Sequence, residues 1–179
     1  MQKLMTFPEF KEKYSNYREQ VYKAVPNILN MPHIKLTPIN NEALSQNLTW
    51  YMSGRKPPNG GWDWGSWVSQ YRRKHHKRFE AAIWYGKQLC GLCLGKASGN
   101  NIHVRLEILE GSPSTSHPLR GRIALIALTA TELYGYACGA SEVRIIDPVQ
   151  GAVNSYKALG YTLKPGTKYE PRYLVKNLT

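Results

Sequence analysis

Acidic residues are scarce: 12 Asp and Glu stand against 24 Lys and Arg in 179 residues, a formal charge of +12. That surplus speaks to partners and solubility rather than to fold, and it favours an anionic ligand: nucleic acid, an acidic protein surface or a phosphorylated cofactor. Cysteine is scarce as well. Three are an odd count and too few for a disulfide scaffold, and Cys90 and Cys93 form the one close pair, which fits a reducing compartment. No apolar run reaches the roughly 18 to 20 residues of a membrane span, and the charged, proline-broken start MQKLMTFPEFKEKY has no apolar signal core. The expectation is a cytoplasmic protein with no membrane partner. A hydrophobic content of 42% excludes wholesale disorder. The length fits one domain over residues 1–179, with residues 1–30 as a helical extension packed on it.

The pattern along the chain is one continuous α/β alternation without repeats or low-complexity tracts. Thr6, Pro8 and Glu9 form a capping box, and Phe10, Tyr14, Tyr17 and Val21 recur at helical spacing until Pro26, which is expected to stop the helix. Residues 33–37 alternate as a first strand. Leu44, Leu48 and Met52 mark a helix closed by Gly54. The prolines and glycines of 55–65 dictate a loop carrying Trp62 and Trp64, after which Trp67, Val68 and Tyr71 resume helical spacing. From residue 79 the period changes to two, giving strands Phe79–Tyr85, Leu89–Gly95 and Ile102–Leu109 as an antiparallel meander. A loop over 111–119 leads to a helix with Ile123, Ala127, Ala130, Tyr134 and Ala137 on one face. A strand Val143–Ile146, a helix Ala152–Leu159 and strands Tyr161–Lys164 and Tyr173–Lys176 close the chain.

That order, together with the segments SHPLRGRIALIAL and IIDPVQGAVNSYKALGY, resembles the GNAT superfamily of N-acetyltransferases over roughly residues 33–176. The resemblance implies an α/β (α+β type) domain with a mixed, mostly antiparallel sheet of about six to seven strands, flanked by helices, plus an extra N-terminal helix. It also implies acetyl-coenzyme A as cofactor. The loop departs from the family's Gln or Arg, two residues, Gly, one residue, Gly or Ala: starting at Arg120 puts Ile123 where glycine belongs. Its physical logic stands independently, since a loop with Arg120, Gly121 and Arg122 opening a helix offers free N–H groups, a positive dipole end and two guanidiniums to a diphosphate. The resemblance implies that Ile108, Leu109, Leu119, Ile123 and Ala124 complete the cofactor-binding set.

By the same resemblance, Tyr156 stands near the coenzyme sulfur and donates a proton to the departing thiolate. Glu107 is the first candidate for the base that deprotonates the acceptor amine and Glu110 the second; a cross-strand ion pair is the competing reading of Glu107. Strict alternation puts Val104, Leu106 and Ile108 on one face of the third meander strand and Glu107 on the other, and a bulge near 108–110 would free backbone N–H groups for the thioester carbonyl. Cys90 and Cys93, three apart in a strand, are expected on opposite faces as packing residues, and His75 and His76 lie in a basic run that repels metal ions. No metal site is expected.

Trp62, Trp64 and Trp67 are candidate substrate-binding residues, either a stacking platform or a tight lid. Arg55, Lys56, Arg72, Arg73, Lys74, Lys77 and Arg78 against Asp63 concentrate half the charge excess beside them. The expected activity is acetyl transfer to an amine of a macromolecular acceptor, such as a protein, or an anionic one, by direct attack in a ternary complex. A GNAT-like domain that binds nucleic acid through this basic, Trp-bearing surface is the alternative. The expected assembly is a monomer or a homodimer.

Overall fold

The computed structural model describes residues 3–52, 54 and 60–179. Period-two segments separated by short turns pair into one seven-stranded sheet in the order β1-β2-β3-β4-β5-β7-β6. The strands are β1 Ile34–Thr37, β2 Arg78–Tyr85, β3 Gln88–Ala97, β4 His103–Gly111, β5 Glu142–Ile146, β6 Thr162–Lys164 and β7 Tyr173–Asn177. Among the described residues only β4 and β5 pair in parallel; the other neighbours are antiparallel.

Helices cover both faces. On one side α1 (Phe7–Ile28), α4 (Ile123–Cys138) and α5 (Val153–Ala158) bury Tyr14, Val25, Ile126, Tyr134 and Tyr156 against the strands. On the other, α2 (Asn41–Thr49) and α3 (Trp64–Lys74) bury Ala43, Trp64, Val68 and Tyr71. Among the described residues no helix is long and apolar enough to cross a membrane.

The capping box is formed: Glu9 N–H donates to Thr6 Oγ1 and Thr6 N–H to Glu9 Oε2. Pro26 does not stop α1. It lies inside the last turn, where the loss of one N–H is tolerated beside packed Tyr22 and Val25, and the helix runs on to Ile28. In α2 the expected stripe is also corrected. Ala43 is the buried residue, the helix ends at Thr49, and Leu48 and Met52 are exposed.

Two bulges overturn the facing expected from alternation. Between β2 and β3 the pairs Ile83–Gly91 and Trp84–Leu89 leave Cys90 over, so Cys90 and Cys93 point into the same core rather than to opposite faces. Between β3 and β4, Leu94 pairs Ile108 and Gly95 pairs Leu106, which leaves Glu107 as the extra residue. One extra residue reverses the alternation beyond it. Val104 and Leu106 therefore face α4, whereas Ile108 faces α3. At this kink β4 crosses so close that a Cβ on Gly95 would sit 2.0 Å from the Arg105 carbonyl oxygen.

Candidate active site

The parallel pairing of β4 with β5 ends at Leu106 and Ile145, yet β4 continues to Gly111. The bulge at Glu107 turns β4 away from its partner there, and a cleft of about 70 Å3 opens between the two strands. Its walls are Leu106, Glu107, Ile108 and Leu109 on β4, Ile145 and Ile146 on β5, Asp147–Val149 after it, Tyr156 from α5, and Trp62. The chain turns sharply out of β5 at Asp147, whose φ of 47° is left-handed, a conformation costly for a residue with a Cβ and commonest where a site demands it. Arg172 steadies the same rim by donating to the Pro148 carbonyl at 2.8 Å and to Gln150 Oε1 at 2.8 Å.

Tyr156 is 8% exposed, and no side-chain hydrogen bond among the described residues engages its hydroxyl. Burial pushes the phenol's pKa up, so the group keeps its proton. Glu107 lies 3.6 Å from Lys96 Nζ and 3.8 Å from Arg105 Nε, so the competing ion pair is present while the same carboxylate borders the cleft. Its Oε1 is buried without a hydrogen-bond partner. On the same face of the sheet, burial and then this carboxylate raise the pKa of Tyr71 on α3.

Glu110 is placed for a different task. Its Oε1 accepts the indole N–H of Trp64 at 2.8 Å, and Oε2 accepts from Tyr51 Oη at 3.1 Å and from the Gly61 N–H. Three donors engage this buried carboxylate, which is not among the residues that border the cleft, and they tie β4 to the loop before α3.

Arg122, the N-cap of α4, provides no side-chain cap to the first N–H groups of the helix. Leu119 and Ile123 are core residues, so they contribute only backbone to such a site; Ala124, half-buried, packs against the same core. Ile123 presses on the sheet where a Cβ at Gly91 would come within 2.8 Å of it, which seats the helix start directly over β3. Arg120 and Arg122 are exposed, and Gly121, at φ +79°, has open space where a Cβ would be. His117, in the loop just before, is buried with Nδ1 unpartnered; burial and then Arg120 lower its pKa. Sequence reasoning had no cue for His117, because its burial depends on the loop folding under α4.

The three tryptophans separate. Trp64 is 1% exposed and belongs to the core, Trp67 packs half-buried at 6.3 Å from the Tyr71 ring, and only Trp62, 42% exposed, is available to a ligand. Trp62 also borders a groove of about 630 Å3 with Leu44, Leu48, Tyr51 and Met52, where Asp63 is the one charged residue among the described lining.

The basic stretch is largely spent within the fold. Arg72 and Arg78 pair with buried Glu80 at 2.7 and 2.8 Å, and Lys77 donates to Gly99 O and Asn101 Oδ1. Arg55 and Lys56 lie outside the described residues. A stacking platform of three tryptophans on a free basic surface is therefore not assembled. The cysteines are buried, and burial raises the thiols of Cys93 to about 12 and Cys138 to about 11. Among the described residues no group of His, Cys, Asp and Glu could hold a metal ion.

No protein-family model and no curated protein matches the sequence. Solved structures do match in shape. A GNAT-family acetyltransferase of Staphylococcus aureus superposes with a TM-score of 0.58 at 12% identity, covering 82% of this chain and 99% of that one. An Escherichia coli N-acetyltransferase acting on an alanine of a ribosomal protein gives 0.55 at 10% identity, over 82% and 94%. The PaiA N-acetyltransferase of Thermoplasma acidophilum, in complex with coenzyme A, gives 0.51 at 14% identity, over 80% and 98%. With its seven strands, parallel β4–β5 pair and flanking helices, the chain has the fold of the GNAT N-acetyltransferases.

Proposed function

We propose that the protein is an N-acyltransferase that moves an acetyl group from acetyl-coenzyme A to an amine in a ternary complex. The observation that carries this reading is the cleft between β4 and β5, which gathers Tyr156, Glu107 and Trp62 around one opening. The site fits the coenzyme: the uncapped start of α4, exposed Arg120 and Arg122 and open space at Gly121 form a donor set suited to a diphosphate. Bound there, acetyl-coenzyme A would supply the acyl group as an activated thioester.

The chain's own residues then have separable tasks. Arg120 and Arg122 hold the phosphates, while Leu119 and Ile123, packed in the core, fix the helix start that presents its N–H groups. The bulge at Glu107 leaves β4 backbone N–H groups beyond Leu106 without a β5 partner, free to polarise a carbonyl. Glu107 takes the proton of the acceptor ammonium, because only the neutral amine attacks. Tyr156, kept protonated by burial, donates a proton to the leaving thiolate. A cleft of about 70 Å3 matches a two-carbon acyl group better than a long chain. Trp62 joins this cleft to the apolar groove, so the acceptor is an amine on an apolar or peptide body. A protein acceptor is in keeping with the alanine acetylated by the Escherichia coli neighbour.

Acetyl-coenzyme A should raise the melting temperature by ligand linkage, and the double variant Arg120→Glu, Arg122→Glu should abolish the rise. Tyr156→Phe should keep the rise and lose turnover by about 10²-fold or more. No shift at millimolar acetyl-coenzyme A would overturn the proposal.

A further inference from the structure

A second concavity, of about 360 Å3, lies where α1 meets the end of α3 and the start of β2. Lys11, Ser15 and Arg18, spaced i, i+4, i+7, supply one wall from a single stripe of α1; Arg72, His76 and Arg78 supply the other. Glu12 is the one acidic residue among the described lining. None of these side chains takes part in the cleft.

Arg18 is the residue the fold leaves unexplained. It is 8% exposed, its Nη1 donates to the Arg78 carbonyl at 3.1 Å, and no carboxylate among the described residues lies within ion-pair distance of it. Buried charges are normally paired. The one carboxylate behind the wall, Glu80, is already taken by Arg72 and Arg78. Three guanidiniums against that carboxylate leave a surplus of two positive charges, and Lys11 and Glu12 offset each other at the rim. Burial and then the charge of Arg78 lower the pKa of Arg18, a penalty that a bound anion would relieve.

We infer that this concavity is a binding site for a phosphate dianion, free or as the end of a small phosphomonoester. Two surplus charges match a dianion, the guanidinium fork matches phosphate oxygens, and the Ser15 hydroxyl adds a neutral donor. The volume exceeds what a bare phosphate fills, which leaves room for a small organic body. The site is built by α1 together with the α3–β2 turn, so it is separate from the start of α4.

Isothermal titration of the full chain with inorganic phosphate, and in a second arm with glycerol 3-phosphate, tests this at constant ionic strength against chloride. The expected result is saturable binding that Lys11→Glu and Arg18→Gln each weaken about tenfold or more, as loss of a charge-assisted contact requires, and that Arg122→Glu leaves in place. Lys11 is exposed and not part of the core, so its variant tests the site even where Arg18→Gln fails to fold. Tighter binding of the ester supports an organic ligand, and tighter binding of phosphate supports the free ion. Heat no greater than that of chloride, or binding lost in Arg122→Glu and kept in Lys11→Glu, would overturn the inference.

Discussion

Glu110 on β4 and Trp64 at the start of α3 are joined by a 2.8 Å hydrogen bond between Oε1 and the indole N–H, buried from solvent. Because the same carboxylate also receives Tyr51 and the Gly61 N–H, one side chain fixes the loop that presents Trp62 to the cleft. Glu110→Gln keeps the shape but replaces one acceptor oxygen by a donor. It should cost about 1–3 kcal/mol, read as a lower denaturation midpoint. Faster amide exchange at Gly61 should accompany it, and unchanged exchange there would refute this tie.

Trp62 and Trp64 should part company under substitution. Trp62→Ala, at an exposed site, should change stability by no more than about 0.5 kcal/mol while raising the KM for the acceptor amine. Trp64→Ala should cost about 3–5 kcal/mol, since it empties a core site and leaves Oε1 of Glu110 without its donor. Chemical denaturation of both variants, with steady-state kinetics of the first, checks the pair.

Burial alone would raise the pKa of Glu80, but its hydrogen bonds and charge contacts with Arg72 and Arg78 outweigh this and lower it. A carboxyl held below its unfolded value contributes stability that is complete above the unfolded pKa, about 4.3, and is lost as pH falls through the folded one. Glu80→Gln should therefore destabilise by about 3–5 kcal/mol at pH 7, through two guanidiniums left unpaired. The gap between variant and wild type should close below about pH 4. Melting curves across that range measure it, and a gap independent of pH would count against the ion-pair account.

At Gly95 a methyl group would meet the Arg105 carbonyl oxygen at 2.0 Å, so β4 must shift to admit it. Gly95→Ala should destabilise by about 1–3 kcal/mol. It should also disturb the bulge that holds Glu107 at the cleft, lowering kcat more than a surface substitution of equal stability cost. A variant as active and stable as wild type would show that the bulge does not depend on the close approach.

Much of the layout was legible along the chain. The capping box at Thr6, the meander, the turn after β5 and the position of Tyr156 in the last helix all rest on local signals: cap chemistry, period two, prolines and glycines. The errors cluster where a non-local contact decides. Pro26 remains in α1 because neighbouring residues pack. Ile108 and Cys90 face opposite to expectation because each follows or forms a bulge that no spacing within one strand announces. The basic run looked like a free surface because its counter-charge, Glu80, becomes its neighbour only through the fold.

The amino-acid order by itself determined which segments become helix and strand and that arginines stand at the start of α4, since propensity, periodicity and charge are local properties. Only the tertiary structure decided which carboxylate borders the cleft and which is bound to the loop before α3, which of Trp62, Trp64 and Trp67 meets solvent most, and which buried arginine is left without a carboxylate. Those outcomes depend on strand register and burial, and a single extra residue in a pleated strand reverses the face of everything beyond it.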